Sequence, residues 1–350
     1  MLLGALFAVL SSATFALNGV SVRRGVLTGT VAQAMAITVP MGVPIFLVVG
    51  LAVGGLGALF EFSAKAYLWL ALAGIFHFVW GRYCNYRATK AIGGNAVTPL
   101  QQLDFPLKLF LAIVFLDEKL TVLSLIGIAL IFLGGAVAIK PRSGHGKGQK
   151  KEEKKEEKKE EKKEEKKTQG DDKTPVFVPH YFEGYLFALL SITGYGVSPL
   201  FIRLALQDAG LGASLAGGLV SYMAATLVIV AMMCLPGRFA HIRAINSVSA
   251  RWFVASSLFV GVSQVFRYMA LALAPVIVVA TVMRGAGLFK LVFNWFVNRE
   301  YEIFEARLLV GIFISIAGGV AMTMSVDFVA AQLPLPAWAL SALDWRWPAP

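Results

Sequence analysis

Long apolar runs, separated by short polar segments, follow one another along most of the chain. Five runs in each half approach the roughly 20 apolar residues that a helix needs to span a bilayer. Backbone polar groups inside lipid must be paired within their own segment, which favours helices. In the first half, the predicted helices are 1–20, 31–51, 67–87, 95–116 and 120–139. In the second half, they are 181–204, 213–235, 252–273, 276–297 and 308–326.

The two halves also repeat each other in sequence, which indicates an internal duplication. Six residues recur 182 positions later: Tyr86, Ala88, Val97, Lys108, Leu109 and Glu118 become Tyr268, Ala270, Val279, Lys290, Leu291 and Glu300. Gly127 and Gly134 recur as Gly311 and Gly318. Because five is an odd number, the second copy must enter the membrane from the opposite side. The sequence therefore predicts an all-α polytopic membrane protein with ten transmembrane helices in an inverted 5+5 repeat.

A charged tract separates the two repeats, which we place at 1–140 and 181–326. The linker, 141–180, is dominated by Lys-Lys-Glu-Glu repeats, and a period of four places like charges at i,i+4. We predict that it is disordered or only weakly helical, and that it acts as a tether or binds a partner or a lipid surface. The tail, 327–350, is rich in proline and tryptophan. Two alternatives remain for it, an interfacial segment and a mobile terminus.

Composition excludes several classes of protein. The chain is 57% hydrophobic with a mean hydropathy of +0.69, which is unlike a soluble domain. Its net charge of +11 is concentrated in the linker and in loops, so it does not indicate nucleic-acid binding. Cys84 and Cys234 show neither disulfide nor metal spacing. Without a phosphate-binding loop or a nucleophile–base arrangement, we expect no ATP-driven pump, no enzyme and no cofactor.

Basic residues are distributed unequally between the two sides of the predicted bundle. One side holds the linker and nine others: Arg23, Arg24, Arg87, Lys90, Arg238, Arg243, Arg251, Arg299 and Arg307. The other side holds Lys65, Lys119, Arg203 and Arg346. Since Lys and Arg are enriched in cytoplasmic loops, this count places the linker in the cytoplasm and both termini outside.

A motif in the first half spans the end of the third, the fourth and the fifth predicted helices: Ala88, Ala96-Val97-Thr98-Pro99-Leu100, Pro106, Phe115-Leu116-Asp117-Glu118-Lys119-Leu120, Gly127 and Gly134-Gly135. It resembles the EamA-type repeat of the drug/metabolite transporter superfamily, and the resemblance covers both halves, 1–140 and 181–326. The second half keeps Tyr268, Ala270, Glu300 and Gly318-Gly319, but it has Thr281 and Leu288 in place of Pro99 and Pro106. The resemblance implies ten helices, a central cavity shared by the repeats and alternating access. It also implies cytoplasmic termini, in conflict with the distribution of basic residues.

Polar residues within the predicted helices are the candidates for a binding site, because a charge at membrane depth usually faces a cavity or a partner. The fourth helix carries Gln101, Gln102, Asp104 and Lys108. Asp104 and Lys108 are spaced i,i+4, so they either neutralise each other or serve as a cation site and an anion site. The third helix carries His77, Arg82, Asn85 and Tyr86.

The second repeat adds the candidates Arg267, Tyr268, Arg284 and Lys290. We expect Lys108, Arg284 and Lys290 to line one polar chamber between the repeats, where cations would suit a carboxylate or a phosphate. Glu118 and Glu300 follow the fourth and ninth helices, and we expect them to cap the next helix.

These features together predict a secondary transporter of a small metabolite in the plasma (cell inner) membrane, with an anionic or zwitterionic substrate. Two alternatives remain: a membrane scaffold that recruits a soluble partner through the linker, and a channel. The expected partners are the substrate and the lipid bilayer, with no nucleic acid. The chain could act as a monomer or a homodimer.

Overall fold

A computed structural model describes residues 2–116, 120–138, 178–206, 210–273, 282–283, 285–323, 336, 338, 343 and 345–347. Contacts divide the chain into two units. The first unit, Met1–Ala138 with Pro179–Pro350, contains both predicted repeats. The second unit, Ile139–Val178, contains the charged tract, and the prediction about its structure lies outside the described residues. Most of the tail also lies outside them.

The described residues are almost entirely helical. The first half contains α1 (Leu2–Thr28), α2 (Val31–Thr38), α3 (Gly42–Val53), α4 (Ala64–Gly74), α5 (Arg82–Ile92), α6 (Gly94–Gln101), α7 (Asp104–Leu116) and α8 (Val122–Ala138). The second contains α9 (Tyr181–Leu206), α10 (Leu211–Met233), α11 (Arg238–Arg243), α12 (Ser247–Leu273), α13 (Ala286–Val297) and α14 (Ala306–Thr323). Short 3₁₀ helices cover Gly55–Glu61 and Arg299–Tyr301, and a π-helix covers Ile75–Gly81. A two-residue antiparallel pairing joins β1 (Leu120–Thr121) to β2 (Arg346–Trp347).

Six helical spans in the described part of the chain are long and apolar enough to cross a membrane. They are Leu6–Thr28, Val31–Val53, Ala64–Ile92, Tyr181–Leu206, Gly212–Met233 and Ser247–Ala270. Shorter apolar helices occupy Leu125–Val137, Ala286–Val297 and Ala306–Gly318. The chain is therefore a multi-pass membrane protein, and six of the ten predicted spans meet the criteria of length and composition.

Proline explains two of the breaks between helices. Pro40 lies between α2 and α3, and Pro106 lies in the first turn of α7, just after the break at Gln102 and Leu103. Neither proline has an N–H to donate to the carbonyl four residues earlier, so the helical bonding is interrupted at these points. A membrane bundle tolerates such interruptions when neighbouring helices pair the freed groups.

The first helix is longer than predicted. The sequence places its end near residue 20, but α1 continues to Thr28 and carries Arg23, which is completely buried. Antiparallel packing against α12 supports this extension, since the Ser249 hydroxyl donates to the carbonyl of Gly25 over 2.9 Å. Arg23 therefore does not lie in a loop, and it no longer belongs to the basic residues whose distribution indicates the orientation of the chain in the membrane.

The major helix contacts connect the two halves. α1 packs along α12, while α9 packs along α4 and α5. α10 packs against α3 and α4, and α8 packs against α14. The resulting core is aromatic, with Phe46, Phe78, Tyr222 and Tyr268 buried together.

Glycine allows the helices around this core to approach closely. A Cβ on Gly74 would lie 2.0 Å from the carbonyl oxygen of Ser221 on α10. A Cβ on Gly194 would lie 2.4 Å from the carbonyl oxygen of Phe76. Both obstacles are backbone atoms, which a rotamer change cannot move, so these positions require glycine for the helices to pack as they do.

We expect Gly74→Ala to lower the stability of the purified protein by about 1–3 kcal/mol, because the added methyl group forces α4 away from α10. Gly135→Ala on α8 is the matched control, since a Cβ there would meet nothing within 4 Å. Thermal unfolding in detergent measures both effects. Equal melting temperatures for the two variants would contradict the close approach.

Candidate functional site

A small pocket lies inside the helical bundle, among α4, the π-helix, α9, α10 and α12. Its polar lining consists of His77, Ser221, Gln264, Arg267 and Tyr268. The surrounding side chains leave essentially no room for a water molecule, whereas ordinary ligand sites enclose roughly 300–1,000 Å³. The structure therefore shows a constricted form of the pocket.

The π-helix places His77 at this pocket. π-Helical turns within α-helices are frequently found at functional sites. The Nδ1 atom of His77 is 2.8 Å from the hydroxyl oxygen of Ser198 on α9. The imidazole ring also lies 4.7 Å from the Tyr195 ring, measured between centroids. His77 is thus positioned by the second half of the chain, although it belongs to the first.

Arg82 lies one helical turn beyond His77 and is also buried. Its Nη1 donates to the carbonyl of Thr38 over 2.9 Å, and its Nη2 donates to the hydroxyl of Tyr222 over 3.0 Å. Its guanidinium carbon lies 5.0 Å from the centroid of the Phe78 ring. Neutral oxygens and ring faces therefore surround this cation.

Positive charge dominates around His77. Arg267, Arg82 and Lys108 are all close enough to act on it electrostatically. Within the described parts of the α-helices, the acidic residues are Asp104 and Glu183. Glu183 binds Arg87 near the end of the bundle, with 2.6 Å between Oε1 and Nε. Asp104 binds one of the cations that act on His77, Lys108.

Several predicted site residues lie at or near this centre. Arg267 and Tyr268 line the pocket. Tyr86 is buried in the same core, with its hydroxyl 3.5 Å from the Thr38 hydroxyl. Lys108 binds Asp104 across one helical turn, with 2.6 Å between Nζ and Oδ2. This pairing is one of the two roles that the sequence left open.

The remaining candidates are distributed differently. Gln101 and Gln102 lie at the break between α6 and α7, where Gln102 is buried and Gln101 is half-buried. Arg284 lies outside the described residues. Lys290 is buried on α13, where its side chain runs between Gly19 and Gly94.

The sequence predicted that Lys290 and Lys108 lie in one chamber, but their contacts place them apart. Lys290 lies beside Gly94, and the 14 residues from Gly94 to Lys108 correspond to roughly 20 Å of helix. The charges that act on Lys290 are those of Glu302 and Arg23. The two lysines therefore belong to separate polar clusters, one near each end of the α6–α7 segment.

This second cluster, formed by Arg23, Lys290 and Glu302, is the part that the sequence did not reveal. The Glu302 carboxylate accepts hydrogen bonds from the backbone N–H groups of Gly94 and Asn95, over 2.7 and 2.9 Å. Nε of Arg23 lies 3.4 Å from Glu302 Oε1, and both side chains are fully buried. Burial raises the pKa of the Glu302 carboxyl, although Arg23, the two N–H donors and Lys290 oppose that shift.

Glu302 binds the N-terminus of a helix, but not of the one that Glu300 was expected to cap. Glu300, which was expected to cap the next helix, is exposed within the 3₁₀ turn Arg299–Tyr301. Glu302, two residues later, binds the start of α6, which precedes it in the chain. Glu118 lies outside the described residues.

Comparison with known proteins agrees with the resemblance that the sequence shows. Residues 2–139 match the model of the EamA-like transporter family, which belongs to the drug/metabolite transporter superfamily. The resemblance is thereby confirmed for this segment, and it indicates a membrane transporter. A search of curated proteins found no match.

Solved structures share the fold. One, described as "Crystal structure of protein", matches with a TM-score of 0.55 and 16% identity, covering 91% of this chain and 94% of that one. At this level of identity, the similarity extends to the fold alone.

We expect Asp104→Asn to destabilise the protein by about 1–3 kcal/mol, because it leaves the Lys108 ammonium without its carboxylate. The double variant Asp104→Asn/Lys108→Met removes both charges and should recover part of that loss. A double-mutant cycle on thermal unfolding measures the coupling. Additive effects of the two single variants would show that the pair contributes nothing.

Proposed function

We propose that this chain, whose residues 2–139 match the EamA-like transporter family, is a secondary transporter of a small anionic metabolite. It works by alternating access across the plasma membrane and contains ten membrane helices in an inverted 5+5 repeat. The substrate binds in the pocket lined by His77, Arg267 and Tyr268. Arg82 and Lys108 add positive charge around it.

Reciprocal contacts between α8 and α14 support the inverted repeat. A Cβ on Gly134 would lie 2.6 Å from the Gly311 carbonyl oxygen, and a Cβ on Gly318 would lie 2.6 Å from that of Gly127. Gly311 and Gly318 are the repeat equivalents of Gly127 and Gly134, so exchanging the halves converts one contact into the other. The two helices are antiparallel, because the earlier residue of each contacts the later residue of the other. A twofold axis between them runs across the helices, in the membrane plane.

The other helix pairs support the same symmetry. α1 packs on α12, and its equivalent, α9, packs on α4 and α5, which are the equivalent of α12. Contacts of α1 with α13 are likewise matched by contacts of α9 with α6 and α7. Each of these contacts between the halves therefore has a partner that the proposed exchange predicts.

The positive charges that act on His77 are the observation that carries the choice of an anion. They belong to Arg82, Arg267 and Lys108. Lys108 binds the carboxylate of Asp104, whereas Arg82 binds neutral groups within the described part of the chain. Charges at membrane depth cost several kcal/mol each unless they are compensated. A bound carboxylate or phosphate would supply that compensation, and arginine is well suited to bind either group.

Alternating access is supported by contacts at the end of the bundle where α8 ends and α9 begins, which we call the linker end. At that end, the Lys90 ammonium donates to the carbonyl of Gly29 over 3.1 Å. The His180 amide donates to the carbonyl of Ala91 over 2.8 Å. We propose that these contacts close this end in the present conformation and separate when the pocket opens.

Transport by wild type and Arg267→Gln, measured in proteoliposomes against a panel of metabolites, tests this proposal. We expect an anionic substrate whose kcat/KM falls about 10- to 100-fold in the variant, because a hydrogen bond from a charged group contributes about 1.5–3 kcal/mol. Arg251→Gln is the matched control, since Arg251 is an exposed arginine near the start of the same helix, α12. Equal loss in both variants, or transport limited to neutral and cationic compounds, would contradict the proposal. Saturation and counterflow distinguish a carrier from a channel.

We propose that the end of the bundle near the linker faces the cytoplasm, because most basic residues outside the apolar spans lie there. Lys65 and Arg299 are exposed at opposite ends. In a background lacking Cys84 and Cys234, Lys65→Cys should react with a membrane-impermeant maleimide in intact cells. Arg299→Cys should react only after permeabilisation. The reverse pattern would support the cytoplasmic termini that the family resemblance implies.

A further inference from the structure

The N-terminus of α6 holds a carboxylate that comes from elsewhere in the fold. α6 has no capping side chain of its own and begins after Gly93, whose φ of +82° favours glycine. Two N–H groups at its start have no partner within the helix and donate to Glu302, which lies in the turn between α13 and α14. Helix N-termini bind anions through such N–H groups and the helix dipole. The anion in this site is thus the carboxylate of a residue from another part of the chain.

Lys290 makes the site more positive than Glu302 requires. Its side chain is 9% exposed, and within the described part of the chain its ammonium makes no hydrogen bond. The ammonium nitrogen and Glu302 Oε1 both lie 3.2 Å from the place where a Cβ on Gly94 would be. Arg23 and Lys290 together therefore carry two positive charges against the single charge of Glu302. A buried ammonium directed at a helix N-terminus is suited to a second anionic group.

The same residues close the end of the bundle near the linker. Arg23 donates to the carbonyls of Thr89 and Lys90 at the end of α5, over 3.0 and 3.2 Å. It also donates through Nε to the carbonyl of Tyr301, over 3.1 Å. One guanidinium thus joins α1, α5 and the turn that carries Glu302. Opening this end must separate the turn from α5 and α6.

Separation would leave two cations and two N–H groups without their anion. That state is costly wherever water does not fully solvate the groups that have lost their partner. An anion of the kind proposed above as substrate would compensate the same groups.

From this geometry we infer a second anion site, formed by Arg23, Lys290 and the backbone N–H groups of Gly94 and Asn95. Glu302 fills it while the linker end is closed, and the carboxylate or phosphate of the transported molecule fills it while that end is open. This inference rests on the proposed function, because it assumes that an anion passes through the bundle. Glu302 then acts as an internal substitute for the substrate.

Anion binding to Glu302→Ala tests the site without any transport assay. The truncated side chain leaves room for a small carboxylate, so sodium acetate should raise the melting temperature of this variant by several degrees over sodium chloride at equal ionic strength. Wild type should not respond, because Glu302 occupies the site. Glu305→Ala is the matched control, since it removes a more exposed carboxylate from the same turn. The double variant Glu302→Ala/Lys290→Met should lose the response.

A missing acetate response in Glu302→Ala, or an equal response in the double variant, would overturn the inference. If Glu302→Ala does not fold, Lys290→Met provides the test, because it keeps the Arg23–Glu302 pair. This variant should melt like wild type but transport the substrate about tenfold more slowly. Lys65→Met, which removes an exposed lysine at the other end, should transport normally. Normal transport by Lys290→Met would contradict the second site. A wild-type protein that shows no selectivity for anions in the metabolite panel would instead contradict the proposed function.

Discussion

A charged side chain at membrane depth must find compensation within the protein, because lipid supplies neither water nor counter-ions. The bundle meets this requirement differently in its two polar clusters. Near the linker, Arg23 is bound by backbone carbonyls and by the carboxylate of Glu302. Beside the central pocket, Arg82 is bound by a carbonyl and a phenol, which are neutral. Within the described residues, the positive charge of Arg82 is therefore not paired with a carboxylate, and the proposed binding of an anion follows from that difference.

Movement between open and closed states is compatible with the way the halves pack. Contacts such as Gly134 with Gly311 bring the backbones of α8 and α14 close together. Small residues at such contacts allow membrane helices to pack closely. At the linker end, Arg23 joins α1, α5 and the turn that carries Glu302 through hydrogen bonds. The alternating access that we propose requires the halves to move relative to each other and these hydrogen bonds to break when that end opens.

Local patterns in the sequence were sufficient for the parts of the fold that depend on local chemistry. The positions of the helices follow from the apolar runs. The sequence predicted one continuous helix over 95–116, and the structure breaks it just before Pro106, which has no N–H to donate. The Asp104–Lys108 contact follows from i,i+4 spacing. The family match to residues 2–139 agrees with the motif around Pro99.

Features that depend on tertiary contacts could not be obtained in this way. α1 appeared to end at its first basic residues, because the carbonyls that accept from Arg23 belong to distant segments. Lys108 and Lys290 are repeat equivalents, and the sequence suggested that they meet. In the inverted repeat that we propose, equivalent residues far from the axis lie at opposite ends of the bundle, and only those near the axis lie close together. Sequence similarity identifies equivalence but does not give the distance from the axis.

The central claim is that the pocket beside His77 binds a negatively charged group. The most direct measurement is the thermal stabilisation of the purified protein by carboxylic acids and by their primary amides, compared in matched pairs. Each pair has nearly the same shape and differs in charge. We expect at least one acid to raise the melting temperature while its amide does not, and Arg267→Gln to abolish the difference. Equal stabilisation by acid and amide throughout the panel would contradict the account.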